Sequence, residues 1–195
     1  MTDVSVPEEL DLEALEHWFG EVLDQYYAGS ELLDLLMIAS DNRENCLVSV
    51  YSKEQEEKLV EFCEYYDLNY RIENAKSIFS RINDISRKIK GQKIYTQKQI
   101  WISNNNVPRF TFHWSQKKIG RFLDYPESAI EAFKHDEMAE KMSEYVSFRP
   151  AKNDIEPLLV EEHRRIELLK KLDEEGLKFP SRWLAEFDSY SNASS

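Results

Sequence analysis

Ten cationic side chains carry the most distinctive chemistry in this chain: Arg81, Arg87, Lys88, Lys90, Lys93, Lys98, Arg109, Lys117, Lys118 and Arg121. Tyr95, Trp101, Phe110, Phe112 and Trp114 are interleaved with them. Cations that track phosphates, beside rings that stack bases at roughly 1–3 kcal/mol each, are what single-stranded nucleic acid requires. The same cations suit an acidic protein surface, on a partner or on the chain itself. Strand alternation offers a plainer reading. Phe110, Phe112 and Trp114 would share one face and Arg109, Thr111 and His113 the other, so that rings fill a core while the cations are solvated.

These cations belong to a segment of sharply segregated charge. Residues 71–122 hold twelve of the 25 Lys and Arg and only two acids, Glu73 and Asp84, for a net charge of +10. Residues 1–70 carry −15 and residues 123–195 carry −7, within a total of −12. Such segregation raises the local potential and bears on partners rather than on fold. The acidity of the flanks has two explanations, solubility in a saline interior or an internal counter-charge to the basic segment.

The second pattern is Gly120-Arg121-Phe122-Leu123-Asp124-Tyr125-Pro126-Glu127-Ser128-Ala129. It reads as a helix broken and restarted, because Pro126 cannot continue one helix yet is tolerated in the first turn of the next. Asp124 is placed to cap that turn, with Glu127 three residues on as in a capping box. Phe122, Ile130 and Phe133 are expected to point inward. The segment resembles an uncharacterised, largely archaeal domain family in which a Gly-Arg-Leu-Leu-Gly-Tyr-Pro-Glu-Cys-Cys-like pattern precedes a short helix and follows a strand ending in Ile-Ser. Here Ile100-Trp101-Ile102-Ser103 takes the place of that strand, and the match covers residues 98–135. Asp124 stands where that family tends to have glycine, and Ser128 and Ala129 where it tends to have paired cysteines. Any redox or metal chemistry of those cysteines is therefore absent from this chain.

Other chemistries find little footing. No Gly-x-Ser-x-Gly, Walker-type loop, Gly-x-Gly-x-x-Gly or His-Glu-x-x-His occurs, and five glycines leave little room for a glycine-cradled nucleotide. His17, His113, His135 and His163 are scattered; His163 and Glu167 lie one helical turn apart without a third ligand at metal-site spacing. Glu56-Glu57-Lys58 has a nuclease-like look but sits in a helical pattern. Cys46 and Cys63 are expected as buried free thiols, neither catalytic nor disulfide-bonded. No catalytic residue, metal or cofactor is expected.

The elements that must position these residues follow from periodicity. An amphipathic helix is predicted over residues 8–27, ended near Gly29. Strands over 35–40 and 46–51 would form a hairpin. A helix capped by Ser52 should run to about Tyr66, followed by a strand at 70–72. A basic helix over 75–89 is stopped by Gly91, and strands are predicted at 99–103 and 109–114. Helices are then expected at 117–123, 126–133 and 136–145, a linker at 149–154, and a long helix at 155–175 closed by Gly176. The apolar stripe of that helix is read as Ile155, Leu158, Leu159, Ile166, Leu169 and Leu172, docked on the chain's own core or on a second chain. A short helix at 180–188 precedes a frayed tail.

The fold class is therefore α+β: small antiparallel sheet elements with packed helices and a helical C-terminal third. The expected organisation is an α+β domain over 8–148 containing the basic segment 71–122, a helical appendage at 155–188 and a disordered tail at 189–195. No run approaches the ~18 apolar residues of a membrane span, and residues 1–10 lack the charge and apolar pattern of a leader. A cytoplasmic protein with no membrane partner is expected. Its function is read as a non-catalytic binding module whose basic middle contacts nucleic acid or an acidic protein surface. The alternative is an enzyme acting on an anionic substrate near Arg121, with His113 and Asp124 beside it.

Overall fold

The computed structural model describes residues 10–27, 29–74, 97–108, 114–140 and 146–177. The fold is α+β. A first helix, α1 (Leu12–Glu16), starts where Asp11 accepts from the Ala14 N–H at 2.9 Å, and continues through a π turn (His17–Val22) and a 3-10 turn (Leu23–Gln25). Leu15, Trp18, Phe19 and Leu23 are its buried side. Gly29, with φ of +58°, opens α2 (Gly29–Ala39).

Helix α2 replaces the first strand of the expected hairpin. Leu32, Leu33, Leu35, Leu36, Met37 and Ile38 are all buried, so this run is a fully enclosed helix. A short apolar run does not by itself distinguish a buried strand from a buried helix, but leucine favours the helix and the element extends over eleven residues.

Strand β1 (Asn45–Val50) buries Cys46, Val48 and Val50 on one face. Its partner is distant in sequence. The sheet has the order β1-β3-β2, and β3 (Lys98–Ser103) pairs antiparallel with both β1 and β2 (Asn69–Asn74). As central strand, β3 is covered on both sides. Ile100 and Ile102 join the core beneath α2 and α3 (Lys53–Tyr65), whereas Trp101 meets Trp114 and Phe122 at ring separations of 5.7 and 5.4 Å. Ser52 caps α3 as expected, accepting from the Gln55 N–H at 3.1 Å. The expected basic helix at 75–89 and most of the strand at 109–114 lie outside the described residues.

Helices α4 (Gln116–Phe122) and α5 (Glu127–His135) meet at Pro126, which is a helix–helix corner as the sequence indicated. The expected capping box is absent: Pro126 itself occupies the cap position with no side-chain bond. Phe133 is 51 % exposed rather than inward. The helix expected over 136–145 is not present in its described part, residues 136–140, because Asp136 takes φ of +56° and stops α5; residues 141–145 lie outside the described residues. Met138 instead bridges to Ala151, and Ala139 N–H donates to the Pro150 carbonyl at 2.9 Å. The segment expected as a linker is thus partly buried and hydrogen-bonded.

The last described helix, α6 (Glu156–Glu174), docks on the core, with Leu158, Leu168, Leu169 and Leu172 in the same apolar cluster as α2 and the sheet. Its buried face differs from the expected stripe. Leu158, Glu162, Arg165, Leu169 and Leu172 are buried, whereas Ile155 and Leu159 are exposed. Two positions of the inward face are held by charges.

One device ends most of these helices. In α2, α3, α4 and α5 the chain passes through a left-handed aspartate, respectively Asp41, Asp67, Asp124 and Asp136. The next residue's N–H then reaches back to a carbonyl inside the helix, as in Asn42 to Met37 at 2.8 Å and Leu68 to Cys63 at 2.8 Å. Helix α6 uses glycine there, Gly176 at φ of +99°, with Leu177 N–H bonded to the Leu172 carbonyl at 2.9 Å. The left-handed conformation is strained for residues with a Cβ and not for glycine. Exposed Asp67→Gly is therefore expected to stabilise the fold by roughly 0.5–1 kcal/mol, and Asp67→Val to destabilise it, in guanidinium unfolding.

Candidate functional site

Of the ten candidate binding cations, Arg81, Arg87, Lys88, Lys90, Lys93 and Arg109 lie outside the described residues, as does His113. The structure places the other four beside specific partners. Lys98, at the start of β3, forms a close ion pair with Glu56, a buried carboxylate on α3 that also meets Lys53 at 3.1 Å. Lys117 lies 3.0 Å from Glu127 and in close contact with Glu131. Arg121 grips Glu127 with both arms of its fork, Nε to Oε2 at 3.0 Å and Nη2 to Oε1 at 2.6 Å. Lys118 places its ammonium 4.4 Å from the centre of the Trp114 ring. Lys117 and Arg121 project from one face of α4 because they are one turn apart, and Glu127 and Glu131 have the same spacing on α5.

This clamp shifts its carboxylates. The Arg121 fork, with Lys117 behind it, pulls Glu127 from the ordinary 4.5 to about 2, and Lys117 lowers Glu131. The same pairing raises Lys117 and Arg121.

The motif residues build the corner itself. Gly120 is buried where a Cβ would stand 2.8 Å from Ile130 Cγ1, so the glycine allows α4 and α5 to touch. Its carbonyl accepts the Tyr125 N–H at 2.9 Å. Tyr125 packs on Phe148 at 5.4 Å and donates its hydroxyl to the Ser147 carbonyl at 3.2 Å; burial raises its phenol. Asp124 does not reach forward to α5. It lies in the left-handed turn after α4 with its carboxyl bonded to Asn45, raised by burial against the opposing pull of Arg43.

Behind this corner lies a buried ionic centre that motif reading missed. Asp34, on α2, accepts at a single oxygen from Arg43 Nη1 at 2.5 Å and from Arg165 Nη2 at 2.6 Å. Arg43 continues to the Leu123 carbonyl at 2.6 Å and the Asn45 carbonyl at 2.7 Å. Arg165, its side chain 0 % exposed, also holds Glu161 at 2.9 Å. Next to it, Arg164 donates to the Asn42 carbonyl at 2.6 Å. The readable signal was Asp34 itself, an acid set among buried leucines.

Two concavities flank the corner. One, of about 500 Å³, is walled by Ile119, Gly120, Tyr125, Ile130, Val146 and Phe148. The other, of about 740 Å³, is polar and bordered by Arg43, Asp124, Tyr125, Glu161 and Arg164. Elsewhere, Cys46 and Cys63 are free and buried, and burial pushes Cys63 up to about 12, which disfavours a reactive thiolate. His163 faces Glu167 at 3.5 Å, and among the described residues no group of three metal-capable side chains converges. No described helix is long and apolar enough to cross a membrane.

Removing Asp34 leaves two arginines buried without their shared acid. Asp34→Ala is expected to lower unfolding free energy by roughly 3–5 kcal/mol, and Asp34→Leu combined with Arg165→Met to recover part of it, measured by denaturant titration. The clamp has a pH signature as well. A carboxylate depressed in the fold contributes stability above its unfolded value and loses it as pH falls through the folded one, here between 4.5 and about 2 for Glu127. Carboxyl NMR titration should find the Glu127 midpoint near about 2, and Arg121→Gln should move it upward. Comparison with protein-family models, with curated proteins and with solved structures finds no match for this chain.

Proposed function

We propose that the protein is a non-catalytic binding module whose basic middle segment engages an acidic protein surface. The observation that carries this reading is the α4 clamp: Lys117 and Arg121 hold two glutamates one turn apart on a helix, with Glu127 taken by both arms of a guanidinium. A partner helix with the same acidic spacing would offer the rest of the +10 segment the same kind of ligand. Nucleic acid is the second reading, and the aromatic half of its chemistry has less support. Trp101 is 1 % exposed in the core, and one face of Trp114 is taken by Lys118.

The enzymatic alternative near Arg121 has less to stand on, since that guanidinium is occupied by Glu127 and Asp124 is bonded toward Asn45. A reducing cytoplasm suits the two buried free thiols and is part of the same proposal. So is the resemblance of residues 120–129 to the archaeal family, which lends no chemistry to Ser128 or Ala129.

The test is fluorescence anisotropy with two labelled probes, a Glu-rich helical peptide and a single-stranded oligonucleotide, at low and at physiological salt. The peptide is expected to bind more tightly. Replacing Arg87, Lys88 and Lys90 together by Gln should weaken that binding and flatten its salt dependence. Tighter binding of the oligonucleotide would transfer the function to nucleic acid. Failure of both probes at low salt would remove the basic segment as a polyanion site.

A further inference from the structure

Building on the reading of the basic segment as a site for acidic protein surface, we propose that α5 regulates that site as an autoinhibitory element. Glu127 and Glu131 occupy Lys117 and Arg121 as an internal stand-in for the acidic helix of a partner, which must displace them to reach these cations.

The contact has the form of the complex it opposes. Lys117 and Arg121 stand one turn apart on α4, and Glu127 and Glu131 one turn apart on α5. Glu127 meets both cations, Lys117 at 3.0 Å and the Arg121 fork at 3.0 and 2.6 Å, while Glu131 is in close contact with Lys117. The corner holds the two helices together. Buried Gly120 leaves room for Ile130, and the Tyr125 N–H bonds the Gly120 carbonyl at 2.9 Å. Glu127 follows Arg121 by six residues, so this acid is presented at an intramolecular concentration with which a free ligand must compete.

The contact is also exchangeable. The side chains of Arg121 and Glu127 are 57 % and 52 % exposed, and solvated pairs of this kind are individually weak. Lys98 is held differently, by a Glu56 side chain only 8 % exposed. Protonation near neutral pH does not open the contact. The Arg121 fork and Lys117 draw Glu127 down to about 2, and Lys117 lowers Glu131. Both carboxylates therefore stay charged, and a competing acid is what frees the cations.

Fluorescence anisotropy of the full chain with a labelled Glu-rich helical peptide, at low salt and neutral pH, tests this regulation. Glu127→Gln with Glu131→Gln should bind the peptide roughly three- to tenfold more tightly than the native protein, with Glu127→Gln alone giving most of the gain. Glu174→Gln with Glu175→Gln removes the same two charges from exposed positions at the end of α6, and should change affinity less than about twofold. In a Lys117→Gln, Arg121→Gln background the α5 substitutions should gain no more than the α6 pair, because the cations they would free are gone. If the native protein binds the peptide and the α5 substitutions gain no more than the α6 pair, autoinhibition is overturned and the reading of the segment stands. A full gain that survives loss of Lys117 and Arg121 overturns it as well. Absence of peptide binding to the native chain removes the reading itself, and autoinhibition with it.

Discussion

One carboxylate oxygen organises this fold. Asp34 projects from a helix buried on every side and is claimed by Arg43, which follows that helix, and by Arg165, more than a hundred residues later. A buried acid without such partners would be strongly unfavourable, and so would either guanidinium. The three must therefore be assembled together. Through Arg43 the assembly reaches the Leu123 carbonyl at the end of α4, and through Arg165 it reaches Glu161 on α6. Leucines would bury as much surface, but they would not fix which turn of α6 faces α2. The ionic centre ties α2 to α6 through Arg165 and to the end of α4 through Arg43.

The same exchange of carboxylate for cation is repeated at the surface with different effect. Glu127 and Glu131 neutralise part of the basic segment within one pair of helices. Solvated pairs of this kind add little stability. They do tune the potential of the segment, because a competing acidic surface must displace an internal one. The described acids thus include a buried setting, as at Asp34, and an exposed, exchangeable one, as at Glu127.

Much of the architecture was legible in local signals. Ser52 before a helical run, the alternation of Cys46, Val48 and Val50, and the proline between two short helices each specify their element without tertiary help. Where tertiary contacts decided the outcome, the sequence pointed elsewhere. The run around Leu35 has no polar face, so period could not separate helix from strand. The stripe of α6 was displaced because Glu162 and Arg165 occupy inward positions, and charges are ordinarily assigned to solvent. Asp124 looked like a cap for α5, yet its left-handed backbone makes it the terminator of α4 and turns its carboxyl toward Asn45. Of the ionic centre only Asp34 stood out, as an acid among leucines; its pairing with Arg165 spans 131 residues and leaves no local pattern.

Four helices that end in left-handed aspartates also set how the protein responds to its solvent. The carboxyl end of a helix carries partial negative charge, so an aspartate there meets repulsion worth about 0.3–1 kcal/mol at low ionic strength. Dissolved cations screen that repulsion, and a chain of net charge −12 offers them many further sites of attraction. The helix ends thus link folding to electrolyte: the native state gains on the unfolded one as counterions accumulate, and the ends would loosen first in dilute buffer.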